Sequence, residues 1–429
     1  MSGATPDGAL AGVRVVEVAS TWGAYAGRLL AELGADVVVV EPPGGHFTRT
    51  YGPFAGDRAH PDRSLWWWFY NSSKRSVVLD LEGADGRDHF RQLVGAADIV
   101  LEGELPGRLA DAGLDHADFA GSRPELIWTS VTSHGRASPR SSEPWTDLTM
   151  MAASGVAWMN GYDDHSLPPM RGRGYHALQI AGVHAAMATL TALAYRDVSG
   201  VGQHVDVSAF AAGNVTTEYG TVLHLVAGQT AQRQTGRHAA VQPTMEVQVR
   251  AADGRYVTTG FPPQEAKDFQ VLLAWLDELG LRESCPEVFF LEIGIERGGI
   301  NVARDFDDPE VVAIFAAVRT ALVHVATHLP AVEFFEGAQQ RDLQCGIVYS
   351  PEEAFENHHF VARGFQVPVA HEELGRVVRY PGAPFQMGAS PWGIRRRPPL
   401  VGEHTAEVLG EWPEGPCITL PPHVRSGGG

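Results

Sequence analysis

Two side chains with catalytic potential lie on either side of a glycine-rich segment. Asp147 precedes this segment and His176 follows it, and a carboxylate or an imidazole can act as a nucleophile or a general base. Between them, Arg171-Gly-Arg-Gly174 indicates a loop. The apolar, alanine-rich run 181–194 then predicts a buried helix, whose unpaired N–H groups at the N-terminus would favour an anion. The pattern predicts either a catalytic loop or a core helix that is preceded by a flexible loop.

Both candidates also have a structural interpretation. Asp147 is suited to be the N-cap of a helix over Leu148–Ala153, because its side chain can accept from backbone N–H groups. His176 could be an ordinary loop histidine. The residue types alone leave the catalytic and structural interpretations open.

Composition argues against several classes of protein. The 429 residues include 51 acidic and 33 basic side chains, a net charge of −18, which argues against a nucleic-acid surface. Three widely spaced cysteines and 18 histidines show neither a disulfide framework nor metal-ligand spacing. No apolar run reaches the roughly 18 residues needed to span a bilayer, and no secretory signal is visible. We therefore expect a cytoplasmic protein without a bound metal.

The elements that position the candidate residues begin with an α/β pattern. Residues 13–18 and 36–41 read as strands, the second apolar on both faces, and 23–33 has helical spacing. Such a βαβ unit belongs to a parallel sheet that is covered on both sides. The turn Ser20-Thr-Trp-Gly23 lacks the glycine fingerprint of dinucleotide binders, so NAD is not implied.

A second pattern begins near residue 240. Asp253-Gly254 between two β-rich runs predicts a hairpin, and helical spacing follows further along the chain. We therefore predict a smaller α+β domain over 240–328. The large Rossmann-like α/β domain would be discontinuous, with residues 1–215 and 330–429.

Several motifs resemble those of one enzyme family. Residues 71–81 match N-x-x-K-R-S-V-x-L-D-L, residues 200–208 match G-x-G-Q-x-V-D-V-S, and residues 401–409 resemble L-G-E-H-T-x-E-V-L. The chain thus resembles the class III CoA-transferases, also called the CaiB/BaiF family, over nearly its whole length. The resemblance implies a large Rossmann-like domain with a parallel sheet, a smaller domain, and two chains interlocked in a dimer.

The resemblance also implies a coenzyme A thioester as co-substrate and an organic acid as acceptor. Lys74 would contact the CoA phosphates, although it could instead cap the loop before a strand, and Arg49 and Trp22 are further implied CoA-binding positions. Other positions of the implied CoA pocket depart from the family. The usual asparagine, aromatic residue and cations are missing at Gly103, Glu104, Asp111, Val39 and Pro42.

The largest departure falls on the family's nucleophile. The family has an aspartate four residues before the glycine that matches Gly182, and this position is Leu178. In the transferases this carboxylate attacks the acyl-CoA thioester, and an aspartyl thioester then hands CoA to the acceptor acid. Leucine cannot supply that nucleophile. The racemases of the family are also a poor match, because Thr146 stands where they carry a basic histidine.

Three hypotheses stay open. The chain could be the subunit without a nucleophile in a heteromer with an Asp-bearing paralogue, and CoA could then be bound by the partner chain. It could instead be a homodimeric transferase, lyase or isomerase that uses Asp147 or His176. It could also be a binding or scaffold protein without catalysis. Trp66–Trp68 would suit an apolar acyl group, although aromatic clusters are more often plain core.

Overall fold

The computed structural model describes residues 8–305 and 307–412, which form two compact units. The larger unit contains residues up to 157, residues 171–221 and those from 357 onward. The smaller unit contains residues 158–170 and 222–356.

The larger unit is built on a six-stranded parallel sheet. Its strands are β1 (Arg14–Val18), β2 (Asp36–Glu41), β3 (Arg75–Val78), β4 (Ile99–Glu102), β5 (Ile127–Thr132) and β6 (His204–Ser208). The strand order is β3-β2-β1-β4-β5-β6, so the chain reverses its direction of growth between β1 and β4. This reversal leaves a crevice at the carboxyl ends of the strands, where ligands of open α/β sheets bind.

Helices cover both faces of this sheet, because alternate strand residues point to opposite sides. Val15 and Val37 belong to one core cluster, while their neighbours Val16 and Val38 belong to another on the opposite face. All four side chains are buried. The helices are α1 (Ala24–Glu32), α2 (Leu65–Asn71), α3 (Ala84–Gly95), α4 (Arg108–Asp111), α5 (His116–Phe119), α6 (Asp147–Ala153), α7 (His176–Ser199) and α8 (Ala209–Val215).

Helix α7 packs against α1 on the sheet face that carries Val15. Small residues on its inner side, including Ala181 and Ala185, are buried there. At Gly182 a Cβ atom would lie 2.8 Å from the Cβ of Tyr25, so glycine permits this close approach of the two helices. The predicted buried helix is therefore present, and it begins five residues earlier than the run 181–194.

The smaller unit combines a short antiparallel sheet with helices. Its elements are α9 (Glu218–Ala227), β7 (Gln232–Gln234), β8 (Arg237–Ala240), β9 (Gln248–Arg250), β10 (Tyr256–Thr258), α10 (Ala266–Glu278), α11 (Val288–Glu296), α12 (Pro309–His328), α13 (Ala331–Gln339), β11 (Gly346–Ile347) and α14 (Pro351–Phe355), and α9 begins within the larger unit. The predicted hairpin is formed by β9 and β10, which pair with Tyr256 opposite Arg250. Phe269, Leu322 and Phe334 are buried in the core of this unit.

The boundary between the units differs from the sequence-based one after residue 330. That prediction placed 330–356 in the large domain, whereas the structure places this segment in the smaller unit. The reason is packing: Phe334 of α13 stacks on Trp275 at 5.8 Å, and β11 pairs with β10. The positions of these residues along the sequence do not predict that they are in contact.

The C-terminal segment returns to the larger unit and covers the open edge of its sheet. The backbone N–H of His404 donates to the carbonyl of Ser76 at 3.0 Å, and Val78 N–H donates to Thr405 Oγ1 at 3.1 Å. These bonds satisfy groups of edge strand β3 that would otherwise be unpaired. The segment contains α15 (His358–Ala362), β12 (Gln366–His371), β13 (Arg376–Pro381) and α16 (Thr405–Glu411).

The predicted α/β class with a parallel sheet is confirmed. Helices α7 and α12 are long and apolar enough to cross a membrane by length and composition, although polar residues interrupt both. Half of the most apolar stretch of each is buried inside the protein, and core helices of soluble proteins pass the same test. A cytoplasmic location stays a prediction.

Candidate active site

Leu178 lies in the first turn of α7, at the position where the family resemblance places the nucleophile. Only 1% of its surface is exposed. The side chain packs against Ala24, Trp66 and Tyr70 in a small apolar cluster. Further aromatic rings border this cluster, which we call the Leu178 cluster: Trp22, Tyr25, Tyr51, Phe69 and Tyr175. The position therefore holds a hydrocarbon side chain shielded from solvent by aromatic rings.

Polar atoms nevertheless border the Leu178 cluster. The indole Nε1 of Trp66 is buried and has no acceptor among the described residues. The hydroxyl of Tyr70 accepts a hydrogen bond from Gln179 Nε2 at 3.3 Å. Burial raises the pKa of Tyr70, so its hydroxyl stays protonated at neutral pH. An oxygen atom brought next to the Trp66 N–H would gain the hydrogen bond that this donor lacks.

Asp147 approaches the same helix from α6. Its Oδ1 accepts from the backbone N–H of Leu178 at 3.1 Å, and its Oδ2 accepts from Arg171 at 2.8 Å. Burial raises the pKa of Asp147, against the opposing effects of the Leu178 N–H and the Arg171 guanidinium. Both carboxylate oxygens are therefore already engaged with the start of α7.

This arrangement corrects the predicted role of Asp147 as the N-cap of its own helix. The N-cap of α6 is Thr146, whose side chain forms a reciprocal capping box with Thr149. Asp147 instead caps α7, because the N-cap residue of that helix, Tyr175, makes no side-chain capping bond. A negative group at this end of a 24-residue helix also complements its dipole.

His176 is the first residue of α7 and is half-buried. Its ring lies over the glycine-rich loop, where a Cβ atom on Gly172 would be 2.7 Å from Cε1 of the imidazole. The glycine thus makes room for the ring. His176 is close enough to Asp147 to oppose the rise in the pKa of that carboxyl, so the structure does bring the two predicted candidates together.

Lys74 lies beneath the sheet edge and is completely buried. Its Nζ donates to Glu17 at 2.8 Å, to Asn71 Oδ1 at 2.9 Å and to the carbonyl of Ala24 at 2.9 Å. An ammonium group has three hydrogens to donate, and these three bonds use them all. This placement favours a structural role for Lys74. The contact of Lys74 with CoA phosphates stays a prediction.

Arg49 is likewise buried and paired. Its guanidinium forms a bidentate pair with Glu41 at 2.7 and 2.8 Å and lies 3.7 Å from the ring centre of Trp67. Trp22, the third predicted CoA contact, is only partly buried and stands in the turn after β1. A Cβ atom at Gly103 would lie 3.1 Å from the Cβ of Trp22, so glycine keeps this turn tight against β4.

The crevice at the carboxyl ends of β1, β2 and β4 is a cavity of about 850 Å³. We call it the sheet-edge crevice. Five carboxylates and two arginines line it: Glu41, Asp80, Glu82, Glu104, Asp111, Arg87 and Arg108. Burial lowers the pKa of His46, which also lines the crevice, to about 4, so its imidazole is neutral at pH 7. Acidic side chains therefore outnumber basic ones where a polyanion would need cations.

The two lining arginines already have partners, and one of them is in an ion pair. Arg108 pairs with Glu104 at 2.7 Å, four residues earlier on the chain. Arg87 donates to the carbonyl of Glu82 at 2.7 Å. Within the described ranges, no group of three or more histidine, cysteine or acidic side chains could hold a metal ion.

A sequence model of CoA-transferase family III matches residues 10–405. The chain belongs to this family. Curated relatives agree: the BbsE subunit of succinyl-CoA:(R)-benzylsuccinate CoA-transferase from Thauera aromatica is 28% identical over 93% of both chains. The succinate–glutarate CoA-transferase of Agrobacterium fabrum is 30% identical over 94% of this chain and 95% of its own.

Solved structures share the fold of this family III chain. A CaiB/BaiF family protein from Brucella suis superposes with a TM-score of 0.75 at 24% identity, over 95% of this chain and all of that one. The orthorhombic crystal form of Rv3272 from M. tuberculosis gives a TM-score of 0.70 at 22% identity, over 94% of this chain and 99% of the other.

Sequence reasoning missed two partners at this family III site. Arg171 was treated only as part of a flexible loop, although it also donates to the carbonyl of Gly174 and so fixes that loop at Asp147. Gln179, the residue after Leu178, was not singled out although it bonds to Tyr70. The only sequence signals for these two contacts were an arginine and an amide near the start of a buried helix. Neither residue type is specific for a functional site.

Proposed function

We propose that this chain is the subunit of a class III CoA-transferase that carries no nucleophile and works beside an Asp-bearing paralogue. The observation that carries the proposal is the burial of Leu178 among aromatic rings at the family's nucleophile position. A thioester of the reaction cannot be formed on a hydrocarbon side chain. The transfer of CoA from an acyl-CoA to a free acid would then use the carboxylate of the partner.

The state of Asp147 supports this proposal. A replacement nucleophile needs a carboxylate oxygen free to attack a carbonyl carbon, and both oxygens of Asp147 hold the start of α7 through Leu178 N–H and Arg171. Using Asp147 would break a helix cap. We therefore assign Asp147 to positioning of the loop and helix.

The sheet-edge crevice supports the proposal independently. CoA carries several phosphate charges, which cost free energy next to carboxylates when few cations are present. Asp111 and Glu104 lie in this crevice, at positions where the resemblance implies a cation and an aromatic residue. We propose that the partner chain supplies the CoA site that is used in turnover.

Exposed apolar helices support association with a second chain. Val183, Met187, Tyr195 and Val198 lie along α7 and are each at least 49% exposed. Helix α9 has no buried residue, and its Leu225 and Val226 are exposed by 75% and 82%. Soluble monomers seldom leave such surfaces uncovered. The interlocked arrangement of two chains, homomeric or heteromeric, is our proposal for what covers them.

Two kinds of named relatives are in keeping with a heteromer. BbsE is named as a subunit of its transferase, and succinyl-CoA–L-malate CoA-transferase of Chloroflexus aurantiacus is named with alpha and beta subunits. Several relatives are named for succinyl-CoA, which makes this thioester the natural donor for an assay.

The proposal is tested by comparing the isolated chain with the chain co-purified from its native host. We expect mass spectrometry to identify a paralogue in equal amount, and CoA transfer from succinyl-CoA only in the co-purified sample. Full activity of the isolated chain would refute the proposal. Met187→Asp should disrupt the assembly, whereas Ala117→Asp, which adds the same charge at an exposed position of α5, should leave it intact.

A second candidate is a self-sufficient transferase, lyase or isomerase that uses Asp147 or His176. The observation in its favour is the closeness of the Asp147 carboxylate to the backbone of Leu178, at 3.1 Å. Under this alternative, Asp147→Asn or His176→Ala would abolish turnover of the isolated chain, and unchanged turnover of both variants would exclude it. A purely binding or scaffolding role is the third candidate, and failure to bind any acyl-CoA or organic acid with or without a partner would favour it.

A further inference from the structure

A second cavity of the larger unit lies between β12 and the segment 394–404. We call it the hairpin pocket, and its volume is about 480 Å³. Pro368, Ala370 and Ile394 contribute apolar surface to its lining. The arginine run 395–397 and His404 line it as well. A cavity of this size with an apolar wall and a few polar groups has the character of a small-molecule site.

The three arginines of the hairpin pocket differ in what they already bind. Arg397 forms a bidentate pair with Glu403 at 2.7 and 2.9 Å and also contacts Glu373 at 3.1 Å. Arg395 donates to the carbonyl oxygens of Glu32 and Pro391. Neither guanidinium is therefore available as a whole to a ligand.

Arg396 is the exception. Its side chain is exposed at the hairpin pocket, and no group in the described part of the chain pairs with its guanidinium. The two carboxylates that line the same pocket, Glu372 and Glu403, both contact Arg397. Arg396 thus keeps an uncompensated positive charge on a protein whose net charge is −18.

His404 contributes a second donor of fixed orientation. Its Nδ1 accepts the backbone N–H of Ser76 at 3.3 Å. Burial is the main cause that lowers the pKa of His404, and the neighbouring Arg396 lowers it further against the effect of Glu403, so the ring is neutral at pH 7. A neutral imidazole that accepts at Nδ1 carries its proton on Nε2, which bonds to no described acceptor.

We propose that the hairpin pocket binds a small organic carboxylate. The guanidinium of Arg396 donates to the carboxylate, because its planar fork matches the two oxygens. The Nε2–H of His404 supplies a further hydrogen bond, and the apolar body of the ligand packs on Pro368, Ala370 and Ile394. This site shares no residue with the Leu178 cluster, and it does not depend on the function proposed above.

A carboxylate suits the pocket better than inorganic phosphate does. Phosphate offers nothing to the apolar part of the lining, and Arg396 alone would have to neutralise both negative charges of a phosphate dianion. A monoanion with a hydrocarbon body meets one free cation and one apolar surface. Benzoate is therefore the chosen probe, and inorganic phosphate is its comparison.

The experiment titrates benzoate into the full chain by isothermal calorimetry. We expect Arg396→Ala to weaken binding by at least about tenfold, because both charge-assisted hydrogen bonds of the guanidinium are lost. Arg376→Ala is the matched control, because Arg376 is an exposed arginine of β13 that does not line the pocket. This control should bind benzoate as the wild type does.

A second variant tests the cavity without changing its charge. Ala370 is exposed on the pocket wall, so Ala370→Trp should fill the space, leave the fold intact and abolish binding. Benzoate binding that survives both Arg396→Ala and Ala370→Trp would overturn the assignment. So would the absence of binding by the wild type at millimolar benzoate, or phosphate binding as tight as that of benzoate.

Discussion

Beneath the first three strands of the sheet, buried charges occur in pairs: Lys74 with Glu17, and Arg49 with Glu41. At the start of α7, by contrast, Leu178 lies where the family resemblance places a carboxylate, and the nearby carboxylate of Asp147 is used as a helix cap. Both regions lie in the larger unit and both belong to motifs shared with family III. Buried polar residues are thus paired with one another in the first region, whereas the position that the resemblance assigns to the nucleophile is apolar in the second.

Substitution of Lys74 is the most direct test of this difference between the two regions. Lys74→Met should lower the free energy of unfolding by about 3–5 kcal/mol, because it leaves the buried Glu17 without its partner. Urea unfolding measures this loss. The control Lys267→Met removes a surface lysine paired with Glu265 and should unfold like the wild type. A Lys74→Met protein of normal stability that had lost CoA binding would show that this region, too, serves the ligand.

A smaller effect is expected at the cap of α7. Asp147→Ala should destabilise the protein by about 1–2 kcal/mol, because the N–H of Leu178 and the guanidinium of Arg171 lose their acceptor. Asp147→Asn keeps one carbonyl oxygen and should lose less. Thermal unfolding of both variants checks the order. Equal stability of both variants and the wild type would contradict the capping role.

The charge of the sheet-edge crevice can be altered at its rim. Asp111→Arg should raise the affinity for free CoA by up to about fivefold at low salt, the range of one exposed ion pair, and the gain should shrink as salt is added. Calorimetric titration of CoA measures it. Asp197→Arg makes the same charge change at an exposed position of α7 that does not line the crevice, and it should have no effect. Equal gains in the two variants would mean that the location of the charge is irrelevant.

The pH dependence of stability should carry a small contribution from Glu17. Burial, the largest influence, raises its pKa to about 7, above its ordinary value of 4.5. The folded protein therefore binds a proton that the unfolded chain releases, and this contribution is complete below about pH 4.5 and is lost as pH rises through about 7. The stability advantage of the wild type over Glu17→Gln should decrease from pH 5 to pH 8. Parallel pH profiles of unfolding would rule out the raised pKa.

The sheet and its helices could be predicted because their signals are local. The apolar run 36–41 on both faces of a strand already requires a covered parallel sheet, and β2 has those bounds. The small-residue helix likewise follows from composition. The first residues of this helix could not be predicted from composition. The turn of α7 that holds Leu178 is stabilised by Asp147, which lies 31 residues earlier in the chain.

The functional roles were harder to predict, because they depend on which charges meet in space. Lys74 resembles a phosphate-binding lysine in its motif, yet its partner Glu17 lies 57 residues away in β1. Arg396 belongs to a run of three arginines in the sequence, and only the pairing of Arg397 with Glu403 distinguishes these two residues. Sequence spacing gives residue types and elements, whereas the pairing of buried charges requires the fold.

The most direct test of the missing nucleophile is a trapping measurement on the isolated chain. The protein is incubated with succinyl-CoA, quenched, and examined by intact-mass and peptide mass spectrometry, with a catalytically active class III CoA-transferase as positive control. We predict no covalent CoA or acyl adduct on this chain. An adduct on Asp147, or on any side chain between Arg171 and Gly182, would contradict the account.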